Sequence, residues 1–154
     1  MSERRTVNSS HLGEISLEAG SEIYLPMGLP GFEHEHRMIP VEIPAQRPLI
    51  YLQSATTEAL CFVSLPALVV NPAFLLQLSD DDCAALDLPA DREPCIGEDV
   101  LCLALLIPSG NSVQTNLGAP VVVNLHNLRC VQAAGAGLSA HYRLAENGKW
   151  EELC

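Results

Sequence analysis

The sequence predicts a mainly β fold: a small antiparallel β-barrel or sandwich with one or two short helices. Three observations carry that expectation. The apolar runs are short, each bounded by turn residues. Eleven prolines and ten glycines are scattered rather than repeated, which favours many short elements over long helices. Several prolines sit just outside the runs, where a residue that cannot donate to a ladder is tolerated. A chain of 154 residues suits one domain, and 48% hydrophobic residues supply a core that a disordered chain lacks. Residues 1–154 therefore read as a single domain, with 1–12 and 146–154 expected to be flexible.

In chain order, the strand-like runs begin with Glu22–Leu25, closed by Pro26, and Met38–Ile43, which alternates around Pro40. Leu49–Leu52 follows Pro48, and Leu60–Val63 precedes Pro66. Val100–Ile107, Pro120–Val123 and Cys130–Ala133 complete the set, and strands separated by turns point to a barrel or sandwich. One segment reads as helix. Ser79 can cap it, Asp80, Asp81 and Asp82 suit the positive end of the helix dipole, and Cys83–Leu86 form its body before Pro89.

Ala59–Ser79 is uncharged and about as long as the roughly 20 residues that a bilayer helix requires. Pro66 and Pro72 would each break its backbone pairing, and no cation anchors either end. It reads instead as a strand, a turn and another short element, and no membrane association is expected. The start, Met1–Thr6, leads into polar residues without an apolar signal-peptide core. Cys61 and Cys102 lie within apolar runs. All six cysteines are expected to be reduced thiols of a cytoplasmic protein.

Charge is lopsided: 19 acids face 8 cations, a formal net of −11, and Lys149 is the sole lysine. Such a chain repels phosphate backbones and attracts basic proteins, so direct nucleic-acid binding is not expected. The acidity concentrates between Asp80 and Asp99, where eight acids accompany only Arg92. This segment is either a solvated face or an electrostatic docking face. The triple aspartate also has a plain helix-terminus role, and it lacks the ligand spacing, glycine and closing Glu of a calcium loop.

Chemistry-bearing motifs are sparse. No glycine-rich phosphate loop is present, since the glycines of Met27–Gly31 flank Pro30 and do not open a helix. His34 and His36 could share one face of a strand, but a metal site needs further ligands, and a solvated turn is the simpler reading. Cys130 follows His126 by four residues, and Ser54, Ser64 and Ser109 lack an elbow motif. No catalytic residue, cofactor or metal is therefore assigned. A small hydrolytic or metal-dependent enzyme is the weaker alternative to a binding protein.

Four blocks in register carry a resemblance. Ile23–Glu33 is a strand followed by Gly28-Leu29-Pro30-Gly31-Phe32-Glu33. Pro48–Ser54 follows, with Phe62-Val63 and Pro66 beyond it. The third block is Thr115–Asn124 and the fourth is Asn127–Gln132 with Tyr142. Gly28 and Gly31 bracket Pro30 to fix a tight turn that delivers Phe32 to the core. Gln53 and Ser54 can satisfy a strand terminus, and Asn116 and Asn124, flanking a strand opened by Pro120, can cap turns. Together the blocks span roughly residues 20–145 and resemble the FliW family of flagellar assembly factors. Three positions depart from the family's frequent pattern: Phe74 in place of Tyr, Leu128 in place of a basic residue, and Cys130 in place of a small one.

The resemblance implies a small cytoplasmic β-rich protein that performs no chemistry and binds two partners in exchange, flagellin and the RNA-binding translational repressor CsrA. Flagellin bound to such a protein leaves CsrA free to repress flagellin translation; once flagellin is secreted, the protein takes up CsrA and translation resumes. On this reading Asp80, Asp81, Asp82, Glu98 and Asp99 form an acidic face toward CsrA, whose RNA surface must be cationic. An acidic module for another basic protein is the alternative.

Overall fold

A computed structural model describes residues 3–89, 91–133 and 140–153. Among them run β1 (Arg4–Ser9), β2 (Gly13–Glu18), β3 (Ile23–Tyr24), β4 (Arg37–Val41), β5 (Ile50–Ser54) and β6 (Cys61–Pro66). Two helices follow, α1 (Ala67–Val70) and α2 (Asp80–Leu86). The remaining strands are β7 (Val100–Leu105), β8 (Ile107–Ser109), β9 (Ser112–Asn116), β10 (Val121–Asn124), β11 (Cys130–Gln132), β12 (His141–Leu144) and β13 (Trp150–Glu152).

Seven strands form one antiparallel sheet in the order β11-β10-β7-β6-β5-β4-β3. Its two ends meet: Tyr24 in β3 bridges Arg129, next to β11, and the Tyr24 N–H donates to the Leu128 carbonyl at 2.9 Å. The sheet thus curls into a nearly closed barrel, which leaves little bare edge for unwanted pairing. Arg37 and Arg129 each lie 5.4 Å from the Tyr24 ring centroid, adding cation–π contacts at the seam.

Strand periodicity divides the core. Leu103, Val121, Val123 and Cys130 point inward with Ile23, Leu25, Met38, Ile50 and Leu52, filling the barrel. Their neighbours Val100, Cys102, Ala104, Val122 and Val131 point outward against α1, α2 and Tyr142 of β12. Strands β7 and β10 are therefore buried on both faces, which is why Val100–Leu105 and Val121–Val123 read as unbroken apolar runs. Each such side chain contributes roughly 1.5–3 kcal/mol on burial. A third cluster, Val7, Leu17 and Ile39, fixes the β1–β2 hairpin to β4.

Strands lie within both terminal segments, of which residues 1, 2 and 154 fall outside the described residues. Residues 4–9 pair with β2, and Trp150–Glu152 pair with β12 in the four-stranded sheet β13-β12-β9-β8. Long-range pairing stabilises segments that lack an apolar run of their own. The uncharged Ala59–Ser79 stretch resolves into β6, α1 and an extended segment, and no described helix is long and apolar enough to cross a membrane.

Candidate protein-binding face

Helix α2 is built from local signals. Ser79 Oγ accepts from the Asp82 N–H at 3.0 Å while Asp82 Oδ2 accepts from the Ser79 N–H at 3.4 Å, a reciprocal capping box. Asp82 is thereby half committed to the helix. Asp80 and Asp81 stand exposed in the first turn, where negative charge complements the dipole. At the other end Asp87 turns the chain at φ 57°, and buried Leu86 anchors the helix in the outer core.

A seven-residue helix is marginal alone, and the β10–β11 turn holds its C-terminal carbonyls. Asn124 Nδ2 donates to Leu86 O at 2.8 Å, Asn127 Nδ2 to the same oxygen at 3.2 Å, and Arg129 Nε to Ala85 O at 2.7 Å. Asn124 is buried, and its Oδ1 also accepts from the His126 N–H at 2.9 Å. Asn124 thus caps the turn after β10 and fixes the acidic helix to the barrel.

Behind α2, Asp99 occupies a different position from the one expected. Its side chain is only 8% exposed. It accepts from the Cys95 N–H at 2.8 Å, from His126 Nε2 at 3.2 Å, and from both terminal nitrogens of Arg92 at 2.9 and 3.2 Å. Those bonds, the Cys95 amide foremost, then His126 and Arg92, hold its carboxyl down at about 2. Asp99 organises the loop rather than standing on the acidic face, because the turn through residues 95–99 folds its carboxylate back onto the chain. Glu98 points outward, and Asp87, Asp91 and Glu93 extend the exposed acidity.

The motif residues hold backbone in place elsewhere. Gln53 Oε1 accepts from Ser9 Oγ, and its Nε2 donates to the carbonyls of Ser54, Thr57 and Glu58. Ser54 Oγ caps the N–H groups of Thr56 and Thr57 and donates to Glu35. Glu35, 2% exposed, was missed by sequence reading and is the centre of this knot. Burial raises its pKa, but donors from Ser54, Thr57 and Thr56 more than offset that and leave it lowered. The hydroxyl run Ser54–Thr57 was the available signal. Gly28 and Gly31, at φ 65° and 85°, shape the turn in which Leu29 and Phe32 exchange backbone bonds. Phe32 stacks edge-on against Phe62 at 5.2 Å, with Pro30 exposed at the tip. Asn116 Oδ1 accepts from the N–H groups of Gly118 and Ala140, and buried Pro120 gives its carbonyl to Ala133.

The thiols considered for nucleophilic chemistry are poorly disposed to it. Cys130 is buried and its pKa is raised by that burial, as is that of Cys102, pushed to about 12. His126 faces Asp99. The described cysteines, 61, 83, 95, 102 and 130, are free thiols; Cys154 lies outside the described residues. His34 and His36 sit by the turn, with His36 Nδ1 2.8 Å from the Leu25 carbonyl.

With this geometry in place, comparison decides the family: the FliW protein family model matches residues 6–146. The chain belongs to the FliW family. It is 32% identical over 133 residues to the flagellar assembly factor FliW of Treponema pallidum (strain Nichols), covering 85% of this chain and 84% of that relative. It is 30% identical over 125 residues to the flagellar assembly factor FliW of Syntrophomonas wolfei subsp. wolfei (strain DSM 2245B / Goettingen), covering 80% and 77%. A crystal structure of the flagellar assembly factor FliW shares the fold, with a TM-score of 0.73, 24% identity, and 84% and 88% coverage of the two chains. The FliW match at residues 6–146 takes in the Gly28–Glu33 turn, the Gln53–Ser54 knot, α2 and the Asn124 cap.

Proposed function

We propose that this FliW-family chain is a cytoplasmic, non-enzymatic regulator that binds flagellin and, when flagellin is withdrawn, a CsrA-type translational repressor. Control is by mass action between two protein complexes, so that flagellin level sets flagellin translation. The observation that carries the reading is the exposed acidity of α2 and the loop behind it: Asp80, Asp81, Asp87, Asp91, Glu93 and Glu98. The nearby cation, Arg92, is already paired with Asp99. A repressor that presents cations to RNA meets a complementary field there, which speeds encounter and discriminates between partners. Single exposed charges contribute roughly 0–1 kcal/mol, so the face acts as an ensemble.

The test is size-exclusion chromatography of the purified chain with flagellin, with CsrA, and with both. The expected result is a complex with each partner alone and displacement of CsrA by excess flagellin. Indifference to both proteins overturns the reading. Binding of CsrA that excess flagellin leaves untouched overturns the exchange.

A further inference from the structure

Between β6 and α2 the chain runs extended from Phe74 to Leu78 with strand-like alternation. Phe74, Leu76 and Leu78 pack on the outer core, whereas Leu75, 80% exposed, and Gln77 face solvent. Among the described residues, no strand pairs with this segment. Among the described residues, the backbone groups of Leu75, Leu76, Gln77 and Leu78 have no hydrogen-bond partner. A row of free N–H and C=O groups along an extended chain is a template for an added strand.

The segment forms one wall of a cleft of about 1130 Å³ whose other wall comes from α2, Leu88, Pro89, residues 91–94 and Ile96. Leu88, Pro89, Pro94 and Ile96 give that wall an apolar surface, and Asp80, Asp91 and Glu93 line its rim. Arg92, the basic residue there, has both terminal nitrogens on Asp99, so its charge is largely spent. We infer that this cleft docks an extended segment of a partner protein by strand addition along residues 75–78. The segment alternates apolar side chains, which enter the cleft, with Lys or Arg, which meet the rim. The inference rests on the reading above only in taking the partner to be basic.

The probe is a synthetic peptide of alternating valine and lysine, about ten residues long. It is titrated into the full chain by fluorescence anisotropy and by amide hydrogen exchange. Saturable binding that slows exchange at residues 75–78 is expected, weakened at least about tenfold by Leu75→Ser or by Asp91→Asn with Glu93→Gln, all exposed sites that do not hold the core. Equal binding of an alternating valine–glutamate peptide, preference for a lysine–leucine peptide at helical spacing, protection confined to other residues, or no binding overturns the inference. The two readings fail separately. Flagellin and CsrA bound equally by the wild type and by Leu75→Ser remove the cleft from their interfaces and leave the function intact. If neither protein binds the wild type, the function falls and the peptide result decides the cleft.

Discussion

Gly28 and Gly31 occupy the same turn at similar positive φ, yet replacement by alanine is expected to separate them sharply. A Cβ at Gly28 would lie 2.6 Å from the Glu33 Cα and carbonyl oxygen, all backbone, whereas one at Gly31 meets nothing within 4 Å. The left-handed backbone costs either alanine roughly 1–2 kcal/mol, offset by about 0.5–1 kcal/mol of lost unfolded-state freedom. Only Gly28→Ala adds a backbone clash, comparable to overpacking at about 1–3 kcal/mol. Gly31→Ala should therefore lose about 1 kcal/mol and Gly28→Ala about 3 kcal/mol. At this chain length that gap corresponds to roughly 4–8 °C in Tm. Urea denaturation followed by circular dichroism and by the single tryptophan, Trp150, measures it. A difference under about 0.5 kcal/mol would refute the claim that close approach of the two backbone segments shapes this turn.

Further perturbations address the acidic helix and the buried groups. Asn124→Ala removes the amide that satisfies Leu86 O and should cost about 1–3 kcal/mol while increasing amide exchange along α2; unchanged exchange would show that Asn127 and Arg129 suffice. Asp99 and Glu35 both have folded pKa values below their ordinary ones, so the stability they supply is complete above the unfolded values and lost as pH falls. Urea midpoints should thus hold level down to about pH 5 and then decline toward about 2, with a shallower decline in Asp99→Asn. Exposed Cys95 should react with a thiol reagent in the native state well before Cys102 and Cys130, whose labelling should wait on unfolding.

Local signals were the legible ones. Ser79 and three aspartates announced α2 because a capped helix start lies within four residues of chain. The double burial of β7 and β10 announced itself as continuous apolar runs. Strand β1 hid because Arg4–Ser9 turns only Val7 and Ser9 inward, and β9 because Ser112–Asn116 holds a single apolar residue, Val113. Their stability comes from pairing across the chain, which composition does not display. The acidic face was legible as charge but not as geometry. Asp99 is adjacent to exposed Glu98, and only the fold places it against Arg92, His126 and the Cys95 amide. Glu35 looked like one more surface acid beside two histidines, since its donors come from residues 54–57, about twenty positions away.

The most direct measurement is CsrA affinity as a function of salt for the wild type and for a variant carrying Asp80→Asn, Asp81→Asn and Glu98→Gln, which leaves Asp82 in its capping box and Asp99 in its loop. Wild-type binding should weaken steeply as salt rises, and the variant should bind more weakly at low salt along a flatter curve. Two superimposable curves, with the variant fully folded, would contradict recognition through this acidic face.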